Sequence, residues 1–91
     1  MRLDKYLKVA RIVKRRSTSK ELADQQRVFV NGRCAKASSD VKINDRITVH
    51  FGNRELQIKV LATPKQVSKQ EAILMYEIVE EKRFERNVSV E

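Results

Sequence analysis

The chain has 91 residues, with 20 Lys and Arg against 12 Asp and Glu, and therefore a formal net charge of +8. A chain of this length forms one small domain, whose interior is too small for a large substrate cavity. A pI near 10.0 is typical of a nucleic-acid-binding protein, although an acidic protein partner or a purely solubilising role would use the same charge.

Several other classes are not expected. The chain has no apolar run long enough for a transmembrane helix, and charges interrupt its N-terminal stretch, so we expect neither a membrane protein nor a secretory signal. Cys34 is the single cysteine, which fits the reducing cytoplasm, and we expect it to pack as a small apolar residue. His50 is the single histidine and cannot form a zinc site alone, so no metal or other cofactor is expected.

The positive charge is unevenly distributed along the chain. Residues 1–46 contain 13 Lys and Arg and 5 Asp and Glu, a net charge of +8, whereas residues 47–91 contain 7 of each. All of the excess charge therefore lies in the first half, where we expect the binding surface.

Residues 2–13 are predicted to form an amphipathic helix. Apolar residues recur at spacings of three and four, and basic residues fall on another side of the helix. Asp4 lies in the first turn, where a negative charge suits the helix dipole. Its expected role is structural, orienting a neighbouring arginine.

Three adjacent cations, Lys14, Arg15 and Arg16, precede a second predicted helix over residues 18–25. Thr18 and Glu21 have the spacing of a capping box, in which each side chain bonds the backbone at the helix start. A phosphate at this position would meet both the positive end of the helix dipole and two guanidinium groups.

A hairpin is predicted next, because Asn31-Gly32 lies between strand-like residues and favours a two-residue turn with positive φ at both positions. This hairpin would project Arg33 and Lys36 from its far end. In the polar connection that follows, Ser38 and Ser39 could bond either backbone groups, as in a turn, or phosphate.

The second half of the chain predicts a further hairpin and a short helix. Residues 47–51 and 56–60 alternate apolar and polar side chains around a turn at Gly52-Asn53. Residues 68–75 have a helical pattern, with Ser68 and Glu71 at capping-box spacing. Residues 76–80 fit either helix or strand, and residues 81–91 are expected to form a charged, flexible tail.

Taken in order, four groups of these residues resemble the S4 RNA-binding domain family: Arg2-Leu3-Asp4-Lys5-x-Leu7, Lys14-x-Arg16, Val28-x-Val30-Asn31-Gly32 and Val41-Lys42-x-Asn44-Asp45-x-Ile47. The start of the chain, the string from Ala35 to Lys42 and the pair Met75-Tyr76 are similar to the RqcP (YabO) family. These are bacterial ribosome-associated quality-control factors related to the fifteen-kilodalton heat-shock protein. Ser19 and Gln26 depart from the S4 pattern, which usually has Ala and Gly there.

The resemblance implies an α+β fold, a small S4-like (αL) domain. Its N-terminal helices would pack on antiparallel β-hairpins, with a short C-terminal helix and the tail. The single domain would span residues 1–80, with the core motif in residues 1–50. No constellation of acids, Ser/His/Asp or Cys/His residues suggests an active site, so the chain is predicted to be a binding module and not an enzyme.

The resemblance also implies a function. Such factors bind the obstructed large (50S) ribosomal subunit at the helix 69 region of 23S rRNA and at P-site tRNA. They act with an RqcH-type quality-control factor while alanine is added to the stalled chain. The alternatives are an S4-type heat-shock or ribosome-assembly factor and, from another class, a protein–protein adaptor with a basic face. A cytoplasmic monomer without membrane contact is expected.

The candidate RNA-binding residues are eight cations of the first half: Arg2, Lys5, Lys14, Arg15, Arg16, Lys20, Arg33 and Lys36. Their guanidinium and ammonium groups would contact phosphates and so recognise the shape of the RNA. Aromatic residues are nearly absent from this set, because Tyr6 and Phe29 are expected in the core, so a folded RNA is favoured over a single strand. The residues expected to orient or support the surface are Asp4, Thr18, Glu21, Asn31 and Gly32.

Overall fold

The structure, a computed structural model, describes residues 1–64, 68–72 and 74–83. Its elements in chain order are α1 (Leu3–Val9), α2 (Arg16–Asp24), β1 (Val28–Val30), β2 (Arg33–Cys34), β3 (Arg46–Phe51), β4 (Arg54–Val60), α3 (Lys69–Ala72) and β5 (Tyr76–Arg83). All five strands form one antiparallel sheet in the order β2-β1-β3-β4-β5. The α+β class is confirmed, with the hairpins joined in a single sheet.

The core lies on one face of this sheet. The alternating residues of β3 and β4 bury one side, as predicted, with Ile47 and Ile58 fully inaccessible. They form one apolar cluster with Leu3, Tyr6 and Leu7 of α1. Because α1 also packs against α2, the helical half of the domain is held on the sheet through α1.

Helix α1 is shorter than predicted, because it ends at Val9 and not near Val13. Arg11 adopts a left-handed conformation with φ 61°. The N–H groups of Ile12 and Val13 both donate to the Leu7 carbonyl, at 3.0 and 3.2 Å. This turn provides a hydrogen-bond partner for a carbonyl at the end of the helix and returns Val13 to the core. Val13 is therefore buried, as its apolar spacing predicted, although it is not part of the helix.

The predicted start of α2 is wrong by two residues. The helix begins at Arg16 with Arg15 as its N-cap, and no side chain caps it. Thr18 and Glu21 therefore do not form the predicted capping box. The N–H of Thr18 donates to the Arg15 carbonyl at 3.1 Å, which places Thr18 inside the first turn, where its hydroxyl is not at the capping position.

The first hairpin is confirmed. Asn31 and Gly32 have φ of 54° and 83°, as a two-residue turn of this type requires. The Asn31 side chain also donates to Asp45 Oδ1 at 3.1 Å and accepts the Arg46 N–H at 3.0 Å. Asn31 thus connects the hairpin to the start of β3.

Both departures from the S4 pattern occupy unusual environments. Gln26 adopts φ 60° at the end of α2, the conformation for which glycine is favoured and which costs another residue about 1 kcal/mol. Ser19 is 1% exposed, and its buried hydroxyl has no hydrogen-bond partner among the residues that the structure describes. These two positions therefore carry a local cost that the usual Gly and Ala would avoid.

Cys34 and Phe29 were placed wrongly in the predicted core. They are paired across β1 and β2 and lie on the sheet face that the helices do not cover. Cys34 is exposed because β2 is a two-residue edge strand. Phe29 is half-buried and contacts His50 edge to face, with ring centroids 5.5 Å apart.

The capping box before α3 is confirmed by reciprocal bonds. The Ser68 N–H donates to Glu71 Oε1 at 3.1 Å, and the Glu71 N–H donates to Ser68 Oγ at 3.2 Å. The helix is shorter than predicted, because Leu74 and Met75 follow it in a turn. Met75 is nevertheless buried, as expected.

Residues 76–80 are a strand, which resolves their ambiguity, and β5 continues to Arg83. Residues 81–83, expected in a flexible tail, pair with Arg54–Leu56 of β4. Glu81 Oε2 lies 3.3 Å from Arg54 Nη1 and 3.8 Å from Arg83 Nη2. The rest of the predicted tail, residues 84–91, lies outside the described residues.

Candidate nucleic-acid interface

One buried carboxylate organises the basic surface. Asp4 in the first turn of α1 is 3% exposed. Its Oδ1 accepts hydrogen bonds from Arg2 Nε at 3.2 Å and from the Lys5 N–H at 2.8 Å. Its Oδ2 lies 3.1 Å from Arg16 Nε. A single acid therefore brings together two arginines that are 14 positions apart in the sequence.

Both arginines keep donors for a ligand. The Arg2 side chain is 53% exposed and that of Arg16 is 49% exposed, although each uses Nε to contact Asp4. A guanidinium has five N–H donors, so such a contact leaves others facing solvent. The arrangement presents two pre-oriented forks that suit phosphate oxygens.

Asp4 is charged in this setting. Burial by itself would raise the pKa of the Asp4 carboxyl, but the hydrogen bond and charge of Arg16, the Lys5 N–H and Arg2 together lower the pKa below its ordinary value. The ionised acid holds two cations, so the cluster retains a net positive charge.

A groove extends this surface. Lys20 lies one helical turn after Arg16 on the same side of α2. Together with Arg2 and Lys36 it lines a groove of about 580 Å³ between α2 and the segment of residues 34–38. Four of the eight predicted RNA-binding residues, Arg2, Arg16, Lys20 and Lys36, thus form one continuous region.

The groove wall is tied to the start of α1. The N–H groups of Leu3 and Asp4 donate to the carbonyls of Ser39 and Ala37, at 2.8 and 3.1 Å. The Lys36 N–H donates to Ser39 Oγ at 2.9 Å, so this hydroxyl stabilises a turn. These bonds fix Lys36 and Arg2 on the same groove.

The other four predicted residues lie around this region or apart from it. Lys14 and Arg15 are exposed directly before α2, and neither forms an ion pair within residues 1–64, 68–72 and 74–83. Lys5 is only partly exposed on α1. Arg33 is exposed at the start of β2 but does not line the groove.

The sequence did not reveal Asp24, Gln26 and Ser38 as neighbours of the cations, although all three line the groove. Asp24 and Gln26 come from the end of α2, and Ser38 comes from the facing segment. The only available signal was the alternation of Ala35 and Ala37 with polar residues, which is too short to indicate a groove.

Within the described part of the chain, none of the helices has the length and apolar character needed to cross a membrane. The same residues contain no group of three His, Cys, Asp or Glu side chains placed to hold a metal ion.

The model of the S4 domain family matches residues 1–47. The chain is also 53% identical to the RQC P-site tRNA stabilizing factor of Streptococcus pneumoniae, over 97% of this chain and 100% of that protein. The chain belongs to the S4 domain family, among the RQC P-site tRNA stabilizing factors.

Other relatives agree. The factor of the same name from Bacillus subtilis is 49% identical, over 92% of this chain and 98% of that protein. Among solved structures, the trimeric heat shock protein 15 of Vibrio cholerae has a TM-score of 0.81 and 34% identity, over 87% of this chain and 81% of that one. The predicted resemblance to both groups is therefore confirmed, and the S4 match contains every cation of the candidate surface.

Proposed function

We propose that this chain binds the large ribosomal subunit and stabilises P-site tRNA during ribosome-associated quality control. The observation that carries the proposal is the pair of arginines held by buried Asp4 beside a groove lined by Lys20 and Lys36. Such a surface recognises folded RNA by its phosphates and its shape.

The proposed contacts are the helix 69 region of 23S rRNA and the P-site tRNA on a 50S subunit obstructed by peptidyl-tRNA. The chain would hold the tRNA in place while an RqcH-type factor supports the addition of alanine to the stalled nascent chain. It acts as a cytoplasmic monomer and catalyses no bond formation itself. Support comes from the name shared by the relatives from Streptococcus pneumoniae and Bacillus subtilis.

Pre-orientation explains why Arg2 and Arg16 are the central contacts. A free arginine side chain loses rotamer freedom when it binds, at a cost of up to about 2 kcal/mol. Asp4 has already restricted both side chains in the free protein. More of the phosphate interaction is therefore available as affinity.

The first test is cosedimentation with purified large subunits at several salt concentrations. If five to seven phosphates are neutralised, the slope of log affinity against log salt is roughly −4 to −6. The control variant is Lys59→Ala, which should have the same salt slope as the parent, because Lys59 is a cation of β4 outside the candidate surface. A slope near zero, or binding that survives removal of the RNA by ribonuclease, would favour the adaptor function instead.

A second assay separates the quality-control role from the role of an S4-type heat-shock or assembly factor. That alternative is supported by the similarity to heat shock protein 15. We expect alanine tails on obstructed chains when the factor is present and none when it is absent. Normal tailing without the factor, together with a defect in subunit assembly or rescue, would favour the alternative.

A further inference from the structure

The groove has an apolar floor that phosphate binding does not require. Ala23, Ala35 and Ala37 line it and are 6%, 8% and 7% exposed. Their methyl groups leave a shallow apolar surface, whereas Arg2, Lys20 and Lys36 place cations around it.

The groove is formed before any ligand binds. On one side, the Ala35 N–H donates to the Val28 carbonyl at 2.9 Å, and the Ala37 carbonyl accepts the Asp4 N–H at 3.1 Å. On the other side, the Gln26 N–H donates to the Ala23 carbonyl at 2.9 Å. Backbone bonds therefore fix both walls, and a ligand need not order them.

One acid faces this cationic groove. Asp24 lines it and forms no ion pair within the residues that the structure describes. Its carboxylate would repel a phosphate lying in the groove. It can accept hydrogen bonds from the amino group of a nucleobase, as acidic side chains do from cytosine N4.

We propose that the groove takes one unpaired nucleotide of the RNA. Its base lies on the alanine floor, its amino group donates to Asp24, and its flanking phosphates contact Arg2, Lys20 and Lys36. Adenine, cytosine and guanine fit this site better than uracil, whose single edge donor, N3–H, lies between two carbonyl oxygens that the Asp24 carboxylate would repel. The inference rests on the proposed function and deepens it, since unpaired bases are the usual source of sequence recognition in folded RNA.

Ser38 provides the test, because it is exposed and lines the groove, and in the double variant Cys34→Ser, Ser38→Cys the new thiol is the only one of the chain. N-ethylmaleimide attaches an uncharged group there and leaves every cation in place. We expect the modified protein to bind large subunits about tenfold more weakly, or worse, because the added group occupies the place of the base and burial of apolar base surface contributes on this scale.

The matched control moves the thiol out of the groove. In the double variant Cys34→Ser, Gln25→Cys, the reagent modifies an exposed position next to Asp24 that does not line the groove. We expect modification there to change the affinity less than about threefold. Equal weakening by both adducts, or no weakening by the adduct at position 38, would overturn the inference.

Base preference gives a second measurement. Octamers of adenylate, cytidylate and uridylate are compared as protectants of the thiol at position 38 in the Cys34→Ser, Ser38→Cys variant against N-ethylmaleimide. We expect uridylate to protect least, and Asp24→Ala to remove the difference; equal protection by all three would refute the role of Asp24. Binding of the unmodified protein to subunits tests the proposed function separately, so the groove inference can fail while subunit binding stands.

Discussion

The two halves of this domain differ in backbone as well as in charge. Residues 1–46 carry the whole net charge of +8, and every positive-φ residue in the described part of the chain lies there, from Arg11 to Asn44. Residues 47–83 contribute β3 from its second residue onward, β4 and β5, and the β3–β4 hairpin follows a regular alternation. Unusual backbone conformations and a buried acid thus occur in the half that carries the candidate RNA-binding surface, whereas the other half supplies regular packing.

The largest expected effect tests whether the first half binds RNA. Arg16→Ala should weaken subunit binding by about 1–3 kcal/mol, and Arg16→Lys should recover only part of it, because lysine offers a point charge and not a fork. Cosedimentation measures the binding, and circular dichroism measures the fold of the same variant. An unfolded variant would show that Arg16 mainly joins α1 to α2, and a folded variant with normal binding would contradict its assignment.

Turn glycines allow a direct comparison of the two halves. Gly32→Val should lower the free energy of unfolding by about 1–3 kcal/mol, because a β-branched residue resists φ of 83°. Gly52→Val is the control, since Gly52 also lies in a hairpin turn with open space around it but has no positive φ. Chemical denaturation of both variants gives the two values. Equal losses would show that the positive φ of Gly32 is not the cause, since neither glycine is crowded.

The buried acid predicts a pH dependence. Asp4→Asn should lower the free energy of unfolding by about 1–2 kcal/mol at pH 7, because charged hydrogen bonds to both arginines are lost. The pKa of Asp4 is lowered by folding, so its contribution is present above the unfolded pKa of about 3.9 and disappears as the pH falls through the folded value. Urea denaturation between pH 2.5 and 7 should therefore show parent and variant converging below about pH 4. A constant gap would exclude the ionised carboxylate as the cause.

Ser19 predicts a gain in stability. Ser19→Ala should raise the free energy of unfolding by about 1 kcal/mol, since it removes a buried hydroxyl without a partner and introduces a better helix former. Ser17→Ala is the control on the exposed side of α2, and only its helix propensity changes. A loss of stability in the Ser19 variant would indicate that the hydroxyl has a partner, such as a water molecule.

The smallest stability effect is expected for Lys20→Ala. Lys20 is exposed, and substitutions of this kind usually change the free energy of unfolding by less than about 0.5 kcal/mol. The salt slope of subunit binding should become shallower by about 1, because one phosphate contact is lost. A lower melting temperature with an unchanged slope would make Lys20 a structural residue.

The sequence predicted most of the fold, because its strongest signals were local. Asn31-Gly32 between strand-like residues strongly favours a tight turn. The alternation around Ile47 and Ile58 fits the two-residue period of a strand and no other element. Helix ends were predicted poorly, since the apolar spacing that placed Val13 in a helix is also satisfied by the turn at Arg11. The Thr18 and Glu21 pattern failed for a related reason: spacing alone does not say where a helix begins.

The candidate site was predictable in its composition but not in its geometry. The cations and the orienting role expected of Asp4 followed from charge and resemblance. The geometry depends on how α1, α2 and the segment of residues 34–38 pack. This packing brings Arg2 and Arg16 to one carboxylate, and it places Asp24 in the same groove as Lys36. No pattern within a short window contains that information. Cys34 shows the same limit, because its exposure follows from the edge position of β2.

The buried hydroxyl of Tyr6 links the S4-matched part of the chain to the part that follows it. It donates to the Met75 carbonyl at 2.7 Å, while burial raises its pKa well above the ordinary value. Tyr6 lies within the S4 match of residues 1–47, and Met75 lies far outside it. A fragment cut at residue 47 would leave this hydroxyl unpartnered and would strip β4 from the sheet. We therefore expect residues 1–47 alone not to fold stably, and transplanting the S4 match into another protein to require the partner of Tyr6 as well.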